Sequence, residues 1–167
     1  EIYPTVVYSY NGKDYYFNGQ IVAEYDYIFS TLTNKGITTT AIILNDISNY
    51  TGVLIHPLAR SGGKAPYFAF NAADEGGTEY LAAVASFLAS RYSGNGHGVV
   101  MNWIIGNEIN ARSEWNYIEY MDTASYVEEY AKAFRIFYNA ILSINANARV
   151  YISIDQQWGK SLYSNNG

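Results

Sequence analysis

The sequence predicts an α/β fold: an incomplete (β/α)8 barrel carrying an N-terminal β-hairpin. Three observations predict it. First, three apolar runs, Ile37 to Leu44, Val99 to Gly106 and Arg149 to Ile154, are separated by stretches of helical periodicity. Strands alternating with helices form a parallel sheet with right-handed crossovers. Second, each run ends in polar or aromatic residues: Asn45-Asp46, Asn107-Glu108, and Asp155-Gln156-Gln157-Trp158. The carboxyl ends of barrel strands are where barrel enzymes carry their chemistry. Third, no glycine-rich phosphate loop follows any of the strands, as a nucleotide-binding sheet would show. A closed barrel needs eight strands and about 250 residues. The 167 residues are therefore expected to be part of one, with a hairpin over 1–18, βα units over 19–158 and a polar tail over 159–167. The chain begins at Glu1 and shows no signal peptide, so it reads as a piece of something longer.

The hairpin rests on Asn11-Gly12 between Val6 to Tyr10 and Lys13 to Phe17. Both turn residues accept positive φ, as a two-residue hairpin turn requires. Ile21, Tyr25, Ile28 and Leu32, widened by Val22 and Phe29, make the first helical stripe, and Asn34-Lys35-Gly36 stops it. Ile37 to Leu44 is β-branched and apolar, hence a strand. Asn49 to Gly77 has no periodicity and many glycines, so it reads as a long loop of the kind that is usually functional. It contains His56 and a glycosylation-type sequon, Asn49-Tyr50-Thr51. Thr78 is the expected N-cap of a second helix carried by Leu81, Val84, Leu88 and Tyr92. His97 lies among glycines before the next strand, at the end away from the chemistry, and reads as structural. After Val99 to Gly106 comes a loop, Ala111 to Asp122. Ser125 and Glu128 have capping-box spacing, with Thr123 an equally good cap, for a helix carried by Val127, Tyr130, Phe134, Phe137 and Ile141.

Composition narrows the function. At 49% hydrophobic and 15% charged, the chain is globular. A net charge of -5 speaks against nucleic-acid binding, which wants a basic patch. No apolar run approaches the roughly 18 residues of a membrane span. Without cysteine there are no disulfides or thiolate metal sites. The two histidines are far apart, and the scattered acids have no metal-ligand spacing, so no metal or other cofactor is expected. Eighteen tyrosines offer flat apolar faces with polar tips, suited to half-wet surfaces such as sugar clefts, although most would pack between helices and sheet.

The stretch Val99 to Asn110 concentrates the chemistry. An apolar run broken only by Asn102 reads as a strand buried on both faces, then gives way abruptly to Gly106-Asn107-Glu108. Trp103-Ile104-Ile105-Gly106-Asn107-Glu108 resembles the fourth-strand motif of the clan A glycoside hydrolases, retaining enzymes on a (β/α)8 barrel. The resemblance implies that Glu108 is the general acid/base, and that Asn107 hydrogen-bonds the sugar hydroxyl next to the reacting carbon. It makes Ile37 to Leu44 the third strand and Arg149 to Ile154 the fifth. It puts the nucleophilic glutamate on a seventh strand, outside this chain. The chain is also similar to glycosidase-like barrels of unassigned activity in bacterial proteins, many of them exported. That similarity points toward a secreted or cell-surface bacterial location, which the residues themselves leave open.

Retaining hydrolysis needs two carboxylates about 5 Å apart, one nucleophile and one acid then base. Lacking the first, these 167 residues are expected to be inactive alone. Further substrate contacts are expected from residues at the same end of the sheet. Trp158 follows the last strand, and Trp115 lies in the loop after Glu108; both could stack on a sugar. Asp155 shares a face with Tyr151 and Ser153 by strand alternation. His56, in the long loop, could hydrogen-bond a sugar. The expected partners are an oligo- or polysaccharide and the remainder of the barrel, or self-association of the fragment. Two other readings stand beside this one: a non-catalytic carbohydrate-binding or structural barrel segment, and a barrel enzyme with other proton-transfer chemistry, such as a lyase.

Overall fold

The computed structural model describes residues 3–46, 52–61 and 65–156. Strands β1 (Val6–Tyr10) and β2 (Lys13–Phe17) pair antiparallel about Asn11 and Gly12, whose φ values are +49° and +78°. Both turn residues are left-handed, as a type I′ turn needs. Then come α1 (Gly19–Asn34), β3 (Thr39–Ile43), α2 (Glu75–Arg91), β4 (Val100–Ile105), α3 (Thr123–Ile144) and β5 (Arg149–Tyr151). Two short 3-10 turns, Gly52–Leu54 and Pro57–Ala59, lie between β3 and α2.

The second sheet has the order β3-β4-β5, all parallel. When strands follow one another in sequence order and each crossover is right-handed, the intervening helices fall on one face. The core follows that rule. Trp103 and Ile105, with Ala41, Ile43 and Val150 around them, pack with Leu81, Ala85, Ala133, Phe137 and Ile141 of α2 and α3. Alternation turns Ile42, Ile104 and Tyr151, which lie in register across the sheet, to the opposite face. There Ile42 is 49% and Tyr151 42% exposed. The fold is therefore mixed α/β, with an antiparallel hairpin and a three-stranded parallel sheet that does not close on itself.

Several expected boundaries move. The regular strands are shorter than the apolar runs, most of all β5, because beyond Tyr151 the backbone bonds to turns and side chains instead of a strand. α2 is capped by Asp74, which accepts from Gly77 N–H at 2.7 Å, not by Thr78. Gly76 and Gly77 lie inside the helix; a Cβ on Gly77 would come within 2.3 Å of the Asn71 side chain. α3 is capped by Asp122, not by Thr123 or Ser125, with Ser125 N–H donating to its carboxylate at 3.0 Å.

The helix faces also differ from expectation. In α1 only Val22 and Phe29 are buried, while Ile21, Tyr25 and Ile28 are 51%, 49% and 45% exposed. Ile21 and Tyr25 line an apolar groove of about 530 Å³ with Ile42 of β3, Leu44 just past it and Phe87 of α2. On α3, Val127 falls off the buried stripe. His97 does take a structural place: its Nδ1 lies 3.0 Å from Asp26 Oδ2, and Asp26 is also paired with Arg91.

The segment expected to be a structureless loop has a small core of its own, Ile55, Ala59 and Phe68. Amide side chains satisfy its backbone. Asn45 Nδ2 donates to the carbonyls of Leu54 at 2.9 Å and Ala69 at 3.2 Å, and Asn71 Nδ2 to that of Val53 at 2.9 Å. Such bonds carry no hydrophobic period, so a pattern search passes over them. The sequon, Trp158 and the polar tail lie outside the described residues.

Candidate functional site

The site is built on the turn that ends β4, the central strand. Gly106 turns left-handed (φ +72°) while its N–H still donates to Ile43 O at 2.9 Å. A Cβ there would sit 3.1 Å from Ile109 Cγ2, tighter than side-chain carbons normally approach. Asn107 follows, then Glu108, also left-handed at φ +40°. For a residue with a Cβ that conformation costs about 1–2 kcal/mol, so the surroundings must hold it.

They do so from two sides. From the segment just past β5, Ser153 Oγ accepts the Glu108 N–H at 3.3 Å and donates to Asn107 Oδ1 at 3.2 Å. The Ser153 carbonyl accepts Ile109 N–H at 3.1 Å. Two residues on, Asp155 N–H donates to Asn110 Oδ1 at 2.7 Å. From α3, Tyr130 OH donates to Ile105 O at 2.6 Å and Tyr126 OH to Ile109 O at 2.5 Å. Burial pushes the Tyr126 phenol up to about 12 and pushes Tyr130 up as well, so both remain neutral donors. Within the turn, Ala111 N–H closes onto Glu108 O at 2.7 Å.

The candidate residues are brought together in part. Asn107 and Glu108 are adjacent and half-buried, and Asp155 is tied to the same turn through its backbone. Trp115 is half-buried and lies nearly parallel to Tyr67, 6° between planes and 5.3 Å between centroids. One face of its ring is therefore given to Tyr67. His56 goes elsewhere. It is 3% exposed, with Nδ1 accepting Leu58 N–H at 3.1 Å and Nε2 3.3 Å from Glu129 of α3. Both ring nitrogens are engaged in fastening the loop, which leaves none for a sugar. Burial pushes the Glu129 carboxyl up, but hydrogen bonds from Lys132 and His56 more than offset this and hold it below the usual range.

Among the described residues, no hydrogen bond or ion pair joins a second carboxylate to Glu108, and no cluster of acids and histidines could hold a metal ion. No helix among them is long and apolar enough to cross a membrane. What the turn can do chemically is present one carboxyl and one amide, side by side, at the carboxyl end of a parallel sheet.

Ser153, Asn110 and the two tyrosines are participants that sequence reasoning did not single out. The tyrosines carried a signal, since they lie four apart on the buried stripe of α3 and a buried phenol needs a partner. Compared with known proteins, the chain matches, over residues 2–166, the model of a family described as a family of unknown function, DUF5722, and belongs to that family. No curated protein and no solved structure matches it.

Proposed function

We propose that this member of DUF5722 is part of a retaining glycoside hydrolase on a (β/α)8 barrel, with Glu108 as general acid/base. The observation that carries the reading is the Asn107-Glu108 pair, held in a left-handed turn at the carboxyl end of the central parallel strand. Strained backbone at such a strand end is characteristic of catalytic positions. The sequential strand order, with helices on one face and Ile42 and Tyr151 exposed on the other, suits a wall of a barrel. In this reading the nucleophile is a second carboxylate on a strand outside the 167 residues. Glu108 protonates the departing glycosidic oxygen and then takes a proton from the attacking water. Asn107 donates to the sugar hydroxyl beside the reacting carbon.

The test is Glu108→Gln in the full-length protein, which keeps shape and removes both proton roles. Hydrolysis of a glycoside with a poor leaving group should fall by about 10² to 10⁴-fold. On a p-nitrophenyl glycoside the first step needs little acid, so the glycosyl-enzyme should accumulate with a burst, and azide should restore turnover with retained configuration. Near wild-type rates on the poor-leaving-group substrate would remove Glu108 from the mechanism.

A second reading is favoured by one observation, the Tyr67–Trp115 stack at the same end of the sheet. A stiff aromatic pair can seat a sugar without any catalysis. If Trp115→Ala weakens polysaccharide binding while Glu108→Gln changes nothing, the protein is a binding module.

A further inference from the structure

We infer that Ser153 is the positioning residue of this site: its hydroxyl fixes which end of the Asn107 amide faces the ligand and holds Glu108 in its left-handed turn. The inference rests on the proposed glycosidase reading for the ligand's identity, but its geometry is independent of it.

Hydrogen-bond direction carries the argument. The Ser153 hydroxyl has one proton and two lone pairs. The Glu108 backbone can only donate to it, and does so at 3.3 Å. The hydroxyl proton is thus left for the Asn107 side chain at 3.2 Å, which must present Oδ1. The opposite amide orientation would bring a second donor against the hydroxyl and strand its proton. With Oδ1 held by Ser153, Nδ2 is the end turned away from that serine. Asn107 therefore offers two N–H groups and selects a ligand oxygen that accepts, such as a hydroxyl oxygen of a sugar, over one that only donates. Ser153 also reaches the turn through its carbonyl, which accepts Ile109 N–H at 3.1 Å. One residue just past β5 thereby fastens three consecutive residues of the turn. Loosening it would leave Asn107 and Glu108 in place in sequence but free in direction, and a misplacement of about 1 Å can cost about 10²-fold in rate.

The experiment uses the full-length protein as wild type, Ser153→Ala and Ser153→Thr, labelled with 15N-asparagine. The Asn107 side-chain resonances are identified by their loss in Asn107→Asp. In Ser153→Ala the Asn107 amide pair should shift and broaden, and deuterium uptake by peptides covering 107–109 should speed about tenfold. Turnover of p-nitrophenyl glycosides should fall about 10- to 100-fold in kcat with KM nearly unchanged, because the contact matters most in the transition state. Ser153→Thr, which keeps the hydroxyl, should restore all three. Were Ser153→Ala not to fold, Ser153→Cys keeps the volume, weakens both bonds and gives the same readouts. Unchanged Asn107 resonances and unchanged uptake would overturn the inference, whatever the activity. Shifted resonances in a protein whose wild type hydrolyses no glycoside would instead uphold Ser153 as the positioning residue and overturn the proposed function.

Discussion

Glu108 combines two properties that conflict: a side chain that the chemistry wants and a backbone conformation that only glycine adopts without cost. Replacing it by glycine should relieve the conflict. Glu108→Gly is expected to raise stability by about 1 kcal/mol, the usual cost of a left-handed residue bearing a Cβ, while abolishing hydrolysis. Thermal unfolding of the two proteins side by side checks this; a lowered midpoint would mean the carboxylate itself holds the turn together. The pair Asn107-Glu108 was legible in the sequence because composition changes so sharply after Ile105. Ser153 was not. Its bond to Glu108 spans 45 residues, and a serine at an alternating strand position looks like any inward-facing small residue. Nor did anything local in the sequence distinguish a histidine that fastens a loop, as His56 does, from one that meets a ligand.

Helices and strands were legible where hydrophobic period dominates, and less so where side chains satisfy backbone. All three helices and both sheets could be read, with their order and direction, because their stripes or alternation run for several turns. Their caps could not, since Asp74, Thr78, Asp122, Thr123 and Ser125 are all good capping residues and geometry chooses among them. Asp122→Ala should cost about 1 kcal/mol, measured by urea unfolding, whereas Thr123→Ala should cost much less. The glycines before β4 are a different case. Gly98 is left-handed, and a Cβ would lie 2.3 Å from the Phe29 backbone, so Gly98→Ala must push α1 away from β4. α1 is held there by Asp26, which pairs with Arg91 and lies beside His97. Burial pushes the Asp26 carboxyl up, but the hydrogen bond and charge of Arg91, with His97, more than offset it and hold it below the usual carboxylate range. A depressed folded pKa means the contribution is full above the unfolded value of about 3.9 and is lost as pH falls through the folded one. Asp26→Asn should therefore lower the urea midpoint at pH 7, by about 2 kcal/mol in stability, and by less at a pH well below the unfolded value of about 3.9. A loss of equal size at both pH values would assign the effect to packing rather than charge.

Across the molecule, apolar surface remains uncovered on the sheet face of Ile42 and Tyr151 and on the α1 stripe of Ile21, Tyr25 and Ile28. The sequence pattern marked these side chains as core, and only the fold reveals that the described residues leave them about half exposed. Expressed alone, the 167 residues should self-associate, and Ile42→Lys should shift light scattering toward the monomer. A wild-type chain that stays monomeric at high concentration would count against the barrel-wall reading. The segments after β3 and after β4 are joined to each other as well as to the sheet. Tyr117 N–H donates to Tyr67 O at 3.0 Å, Ala69 N–H to Tyr117 O at 2.9 Å, and Glu119 N–H to Leu58 O at 2.9 Å. In parallel-strand folds such segments usually vary one at a time, each a separate module on a constant frame. Here they are sewn into a single cuff. Grafting one of them from a sister protein would tear the seam, so new specificities can be transplanted only as the pair.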